Sequence, residues 1–159
     1  MIYISHLAHY NDCMMRILCL DDDPDILKLL RFILETSGYE CSCMVDSHEA
    51  LAMLRTRSID LLIQDMLRPD IRSELMCQMI RGDESLRNIP ILIASAYIAG
   101  GKRMVAEGYA DAVVSEPLGP IELLDAVEDV LRKHSIPLAP EEARTQARNR
   151  WQQPGEVKP

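Results

Sequence analysis

Acidic and hydroxyl residues close four of the short apolar runs in this chain. RILCL (16–20) runs into Asp21, Asp22 and Asp23, and IDLLIQD (59–65) ends in Asp65. IPILIASA (89–96) carries Ser95, and DAVVS (111–115) ends in Ser115, with Glu116 and Pro117 directly after it. An all-oxygen set suits Mg²⁺, which takes one or two carboxylates and keeps waters for a phosphate ligand. Several carboxylates held together cannot all stay ionised cheaply without such a cation. Beside one, an aspartate can act as a nucleophile towards phosphorus. A plainer role competes at Asp23 and Asp25, which sit where a helix starts and can cap its free amides. Asp65 has no helix immediately after it and ends a run expected to be central in the fold.

The elements that must position these groups alternate strictly. RILCL reads as a buried strand. PDILKLLRFILETSG places apolar residues at 26, 27, 30, 33 and 34, a helical stripe with Asp23 as N-cap, Pro24 at the first position and Gly38 as its stop. YECSCMV (39–45) is the second strand, and Ser47 opens a helix with Ala50, Leu51 and Leu54 inward. IDLLIQD is the third strand, followed by a helix around 74–81. IPILIASA is the fourth, a weaker helical pattern KRMVAEG follows, and DAVVS is the fifth. PIELLDAVEDVLRKH (120–134) closes with a strongly amphipathic helix. This alternation predicts an α/β fold, a parallel sheet covered by helices on both faces. In such sheets ligands bind outside the C-terminal ends of the strands, where every one of these polar residues falls.

Bulk properties narrow the class. The chain of 159 residues fits one domain of 16–134, with an N-terminal extension of 1–15 and a proline-containing tail of 135–159. Only one Phe, one Trp and five Tyr are present, so aliphatic residues and methionine must build the core. A net charge of −8 argues against non-specific nucleic-acid binding. No apolar run approaches a membrane span. Five cysteines, an odd count with only C-S-C (41–43) closely spaced, fit reduced thiols in a cytoplasmic protein better than a disulfide framework or a zinc site. His6 and His9 lie in a loose terminus rather than a metal motif. In the tail, Ala143, Ala147 and Trp151 recur at helical spacing among basic residues, so this segment is either mobile or a short helix that docks on an acidic surface.

Four pieces in order, ILCLDDDPDI, IDLLIQDMLRPD, IPILIASA and ADAVVSEP, resemble the receiver domain of two-component response regulators over residues 16–134. The resemblance implies the flavodoxin-like (βα)5 sheet with strand order 2-1-3-4-5. It implies that Asp65 accepts a phosphoryl group from a phosphohistidine on a sensor histidine kinase or phosphotransfer protein. Asp21 and Asp22 would hold Mg²⁺, with Asp65 and the backbone carbonyl of Leu67 completing the protein ligands. Ser95 would be the hydroxyl that moves to the phosphoryl group. Such a protein assists its own phosphorylation and dephosphorylation, signals by protein contact and is open to pairing with a second copy. It does not turn over other substrates. The last helix and the surface around strands four and five would be its meeting face, and the Glu116–Pro117 bond would be cis.

Several positions depart from the family pattern. Glu116 stands where a lysine pairs with the phosphoryl oxygen, and Val113 stands where an inward-turning aromatic is common. Asp70-Ile71-Arg72-Ser73 replaces a glycine-rich turn, and one extra residue lies near Gly108-Tyr109. A unit charge pair at about 4 Å is worth roughly 4 kcal/mol at an effective dielectric of 20, and glutamate turns that attraction into repulsion. Either Mg²⁺ carries the charge, or Arg68, Lys102 or Arg103 reaches in. Leu67 and Tyr97 would flank the path of attacking water and slow hydrolysis. With switching impaired, the alternative is a pseudo-receiver that binds its partner without phosphorylation. ILCLDDDPD also resembles the first motif of haloacid-dehalogenase-type phosphatases, with Asp21 as nucleophile, Asp23 as acid and base, and Ser95 and Lys102 on the phosphate. That reading lacks the later acidic pair and leaves Asp65 unused.

Overall fold

A computed structural model of the chain describes residues 14–152. Five parallel strands form one sheet in the order β2-β1-β3-β4-β5. They are β1 (Arg16–Leu20), β2 (Glu40–Met44), β3 (Leu61–Gln64), β4 (Ile91–Ser95) and β5 (Ala112–Ser115). The helices are α1 (Pro24–Thr36), α2 (Ser47–Thr56), α3 (Ser73–Gly82), α4 (Ile98–Ala106), α5 (Pro120–Lys133) and α6 (Glu141–Gln152). This is the flavodoxin-like order, with strand order reversing between β1 and β3.

Strand periodicity sends alternate residues to opposite faces. Ile17, Cys19, Leu61, Ile63, Leu92 and Ala94 pack beneath α1, α5 and α6. Leu18, Leu20, Leu62, Ile91 and Ile93 pack against α2, α3 and α4. Two of the helices begin at side-chain caps. Asp23 accepts from the Asp25 amide at 2.8 Å with Pro24 in the first turn, and Asp46 accepts from the His48 and Glu49 amides. After α1 the chain turns through Gly38 at φ +88°, which L side chains rarely adopt.

Residues 141–152 take the helical form rather than a loose one. Ala147 is buried, Trp151 meets Phe32 of α1 edge-on, and Arg144 and Arg148 pair with Glu128 of α5. A seat of this kind is the acidic surface that the basic tail could use, and it is the chain's own.

Candidate functional site

Register alone brings the aspartates together. Leu20 of β1 is paired with Gln64 of β3, so the next residues, Asp21 and Asp65, leave the sheet side by side. The Asp65 amide donates to the Leu20 carbonyl at 3.0 Å, extending that pairing by one residue. At the other side of the crevice Ser95 is paired with Ser115, and the Glu116 amide donates to the Ser95 carbonyl at 3.2 Å. Five of the residues singled out from sequence, Asp21, Asp22, Asp65, Ser95 and Glu116, therefore converge on one end of the sheet.

Ligand oxygens of Asp21, Asp22 and Asp65 lie within 4.8 Å of one another. Asp21 is 4% exposed, Asp65 half-buried and Asp22 exposed. Burial, reinforced by the charges of Asp65, Asp22 and Asp23, pushes the Asp21 carboxyl up to about 6, although the Asp23 amide donates to it at 2.8 Å. Asp65 also shifts upward, through burial and then the charge of Asp22. Its carboxylate accepts from the amides of Met66 (2.6 Å) and Leu67 (3.0 Å), which favour the ionised form and fix its direction. Three hard oxygen donors, two of them reluctant to ionise, fit a small divalent cation. Asp23 is the helix cap expected of it.

Glu116 is half-buried. Burial raises the pKa of its carboxyl, the charges of Asp65 and Asp21 raise it further, and the Ala96 amide opposes them. Its bond to Pro117 is cis. Ser95 is fully buried, and its Oγ accepts from the Tyr97 amide at 3.1 Å. The Tyr97 ring lies over Gly100, where any Cβ would come within 2.5 Å of it. Tyr97 and Leu67 are 52% and 65% exposed and stand at the mouth. They line, with Met66, Arg68, Pro69, Arg72, Ser73 and Glu74, a groove of about 490 Å³. Val113 packs against Gly101.

Of the three cations considered, Arg68 is the one that goes inside. It is 7% exposed, whereas Lys102 and Arg103 are exposed and Arg103 pairs with Glu74. The end of β3 carries a buried polar group that sequence did not reveal. Gln64 is fully buried, with Nε2 donating to Cys77 Sγ at 2.9 Å and Oε1 lacking a partner, and the buried Ser47 hydroxyl also lacks one. An apolar run containing one glutamine signals a buried polar group only after its neighbours are known.

Sequence reading also missed a thiol cluster. Parallel pairing sets Cys19 opposite Cys43, and Cys41 Sγ lies 3.6 Å from Cys19 Sγ and 3.8 Å from Cys43 Sγ. The C-S-C pair thus has a third thiol beside it. His6, His9 and Cys13 lie outside the described residues.

The sheet order and the acidic site define a class, and comparison with known proteins agrees. The family model for the response regulator receiver domain matches residues 17–128, and the chain belongs to that family. Receiver domains act as phosphoacceptors and signalling modules of two-component systems. Among curated relatives, the polar-differentiation response regulator DivK of Brucella ovis is 26% identical over 116 residues, 72% of this chain and 94% of DivK. The DNA-binding dual master transcriptional regulator RpaA of Synechocystis sp. is 32% identical over 123 residues. That match takes in 76% of this chain but only 50% of RpaA, so this chain spans about half the length of that relative. The chemotaxis response regulator CheY4 of Vibrio cholerae superposes with a TM-score of 0.68 at 25% identity, over 74% of this chain and 99% of its own. No helix among the described residues is long and apolar enough to cross a membrane.

Proposed function

We propose that Asp65 accepts a phosphoryl group from a histidine kinase or phosphotransfer protein, and that the chain signals by protein contact in the cytoplasm. The observation that carries this reading is the convergence of Asp21, Asp22 and Asp65 within 4.8 Å at the strand ends. A carboxylate oxygen of Asp65 attacks phosphorus in line, and the P–N bond to the donor imidazole breaks with its electron pair returning to nitrogen. The Met66 and Leu67 amides hold the Asp65 carboxylate towards the mouth. Asp21, Asp22, Asp65 and the Leu67 carbonyl would hold Mg²⁺, which supplies charge neutralisation at the phosphoryl oxygens. Ser95 is the hydroxyl that would meet the phosphoryl group after releasing the Tyr97 amide. Leu67 and Tyr97 narrow the approach of water, so the acyl phosphate is expected to last well beyond seconds. Residues 16–134 act as the receiver, and 141–152 as an appended helix.

Mg²⁺-dependent phosphorylation by acetyl phosphate, followed by intact mass, tests this. One phosphoryl group in the parent and none in Asp65→Asn supports the reading, and equal uptake in both overturns it. A second reading has its own observation, the inward Glu116 carboxylate, whose charge meets that of Asp65. In that case the chain is a phosphorylation-independent interaction module. No uptake in the parent or in Glu116→Lys, with Mg²⁺ still binding, would favour it.

A further inference from the structure

Arg68 is anchored by little and offers much. Its Nη2 donates to the Ile71 carbonyl at 3.1 Å and touches Met76 Sδ at 3.6 Å. Its Nε and Nη1 are buried and have no acceptor. A buried guanidinium holding unused donors is unstable where it sits and gains from any anion brought within reach. Three carboxylates lie close enough for their charge to act on it. Asp70 acts most strongly, but its Oδ2 is already engaged by the Ser47 amide at 2.8 Å. Asp65 comes next, and then Asp21. Arg68 lies three residues after Asp65 on a short loop tied at two points, at Ile71 by Arg68 itself and at the Asp65 carbonyl by the Ser73 hydroxyl. Ser73 begins α3.

On the reading that Asp65 is the acceptor, we infer that Arg68 is the side chain that binds a phosphoryl oxygen there, and that in turning to it Arg68 releases Ile71. The start of α3 then carries the signal. A phosphoryl group adds negative charge to a crevice where Glu116 already repels it. Lys102 and Arg103 are exposed, and Arg103 is occupied by Glu74. Arg68 alone of the three combines burial, free donors and proximity. The Ser95 route, by contrast, ends at Val113, a side chain packed on Gly101 with no polar group to turn.

Beryllium fluoride with Mg²⁺, a phosphoryl stand-in on aspartate, tests the inference on the full chain with ¹⁵N-arginine labelling. The Arg68 Nε–H resonance should move on adding the probe, and Ile71–Ser73 amides should exchange about tenfold faster. Arg68→Met should keep its melting transition yet bind the probe about tenfold more weakly, with Arg68→Lys recovering part of the affinity. An adduct that forms in the parent while Arg68 Nε–H and the Ile71–Ser73 amides stay unchanged overturns the role of Arg68 and leaves Asp65 as acceptor. Parent-like binding by Arg68→Met does the same. No adduct in the parent overturns the acceptor reading, and this inference with it.

Discussion

The backbone N–H of Glu116 donates to the carbonyl of Ser95 at 3.2 Å, so the last bond between β4 and β5 also delivers a carboxylate to the rim of an acidic crevice. Charge of one sign is concentrated there by the register of the sheet itself. Glu116→Gln keeps the shape and removes the charge. The metal-free protein should become more stable by about 0.5–1 kcal/mol, the scale of one partly screened like-charge contact. Mg²⁺ affinity should fall severalfold, because the cation loses a neighbouring anion. Thermal melts and a Mg²⁺ titration of the two proteins read both effects, and tighter Mg²⁺ binding by the variant would contradict the electrostatic account.

Asp21 sets a pH dependence of definite sign. In the folded protein its pKa is pushed up to about 6, above the ordinary value of 3.8. Between these values the folded protein keeps a proton that the unfolded chain has lost. Stability of the metal-free protein therefore contains a favourable contribution that fades as pH rises through that window and is gone above it. Its size is on the order of 2 kcal/mol. The upward shifts of Asp65 and Glu116 act in the same direction. Urea unfolding between about pH 4 and 7 should show the decline, Asp21→Asn should flatten it, and Mg²⁺ should offset it most at the upper end. A parent and variant with parallel profiles would reject Asp21 as the source.

Much of the fold is legible in the sequence because its elements obey short periods. Every strand run, the cap at Asp23 and the start of the last sheet-covering helix at Pro120 fall where the pattern puts them. Asp21, Asp65 and Ser95 are legible as site members for the same reason, since each ends a strand. Arg68 is legible only as one of three cations that could reach in, and it is burial against Met76 of α3 that singles it out. The thiol cluster is hidden, because parallel register, not sequence spacing, brings Cys19 to Cys41 and Cys43. Ala143, Ala147 and Trp151 mark a helical face, but the turn at Gly38 and the ring of Phe32 that receive it lie over a hundred residues earlier in the chain.

Those thiols should differ in reactivity. Hydrogen bonds from Cys19 and Cys41, with Arg31 alongside, pull Cys43 well below the ordinary thiol range, and Cys43 is the partly exposed member. Burial pushes Cys77 up to about 12. Iodoacetamide on the native protein near neutral pH should modify Cys43 ahead of Cys19, Cys41 and Cys77. Time-resolved peptide mapping checks the order, and first labelling at Cys77 would contradict it.

Glu128 depends on the appended helix. It is 3% exposed and receives Arg132 at 2.9 Å from its own helix, with Arg144 at 3.2 Å and Arg148 at 3.0 Å from α6. Replacing Arg144 and Arg148 by methionine should cost about 3 kcal/mol while Glu128 keeps its charge. In a Glu128→Gln background the same pair should cost less than about 1 kcal/mol. A double-mutant cycle by urea unfolding measures the difference, and additive losses would mean that the helix is held by Trp151 and Ala147 alone.

The seat of α6 on α1 and α5 is also a matter of competition. Phe32 and the Glu128 side of α5 are already engaged by a segment joined to them through the short stretch 134–140. Tethering of this length gives α6 an effective concentration on the order of millimolar at its own seat. A partner arriving over Phe32 must outbid that concentration, and its measured Kd will be its intrinsic Kd divided by the fraction of time the seat stands vacant. Weak basic peptides that seek the same seat are thereby screened out.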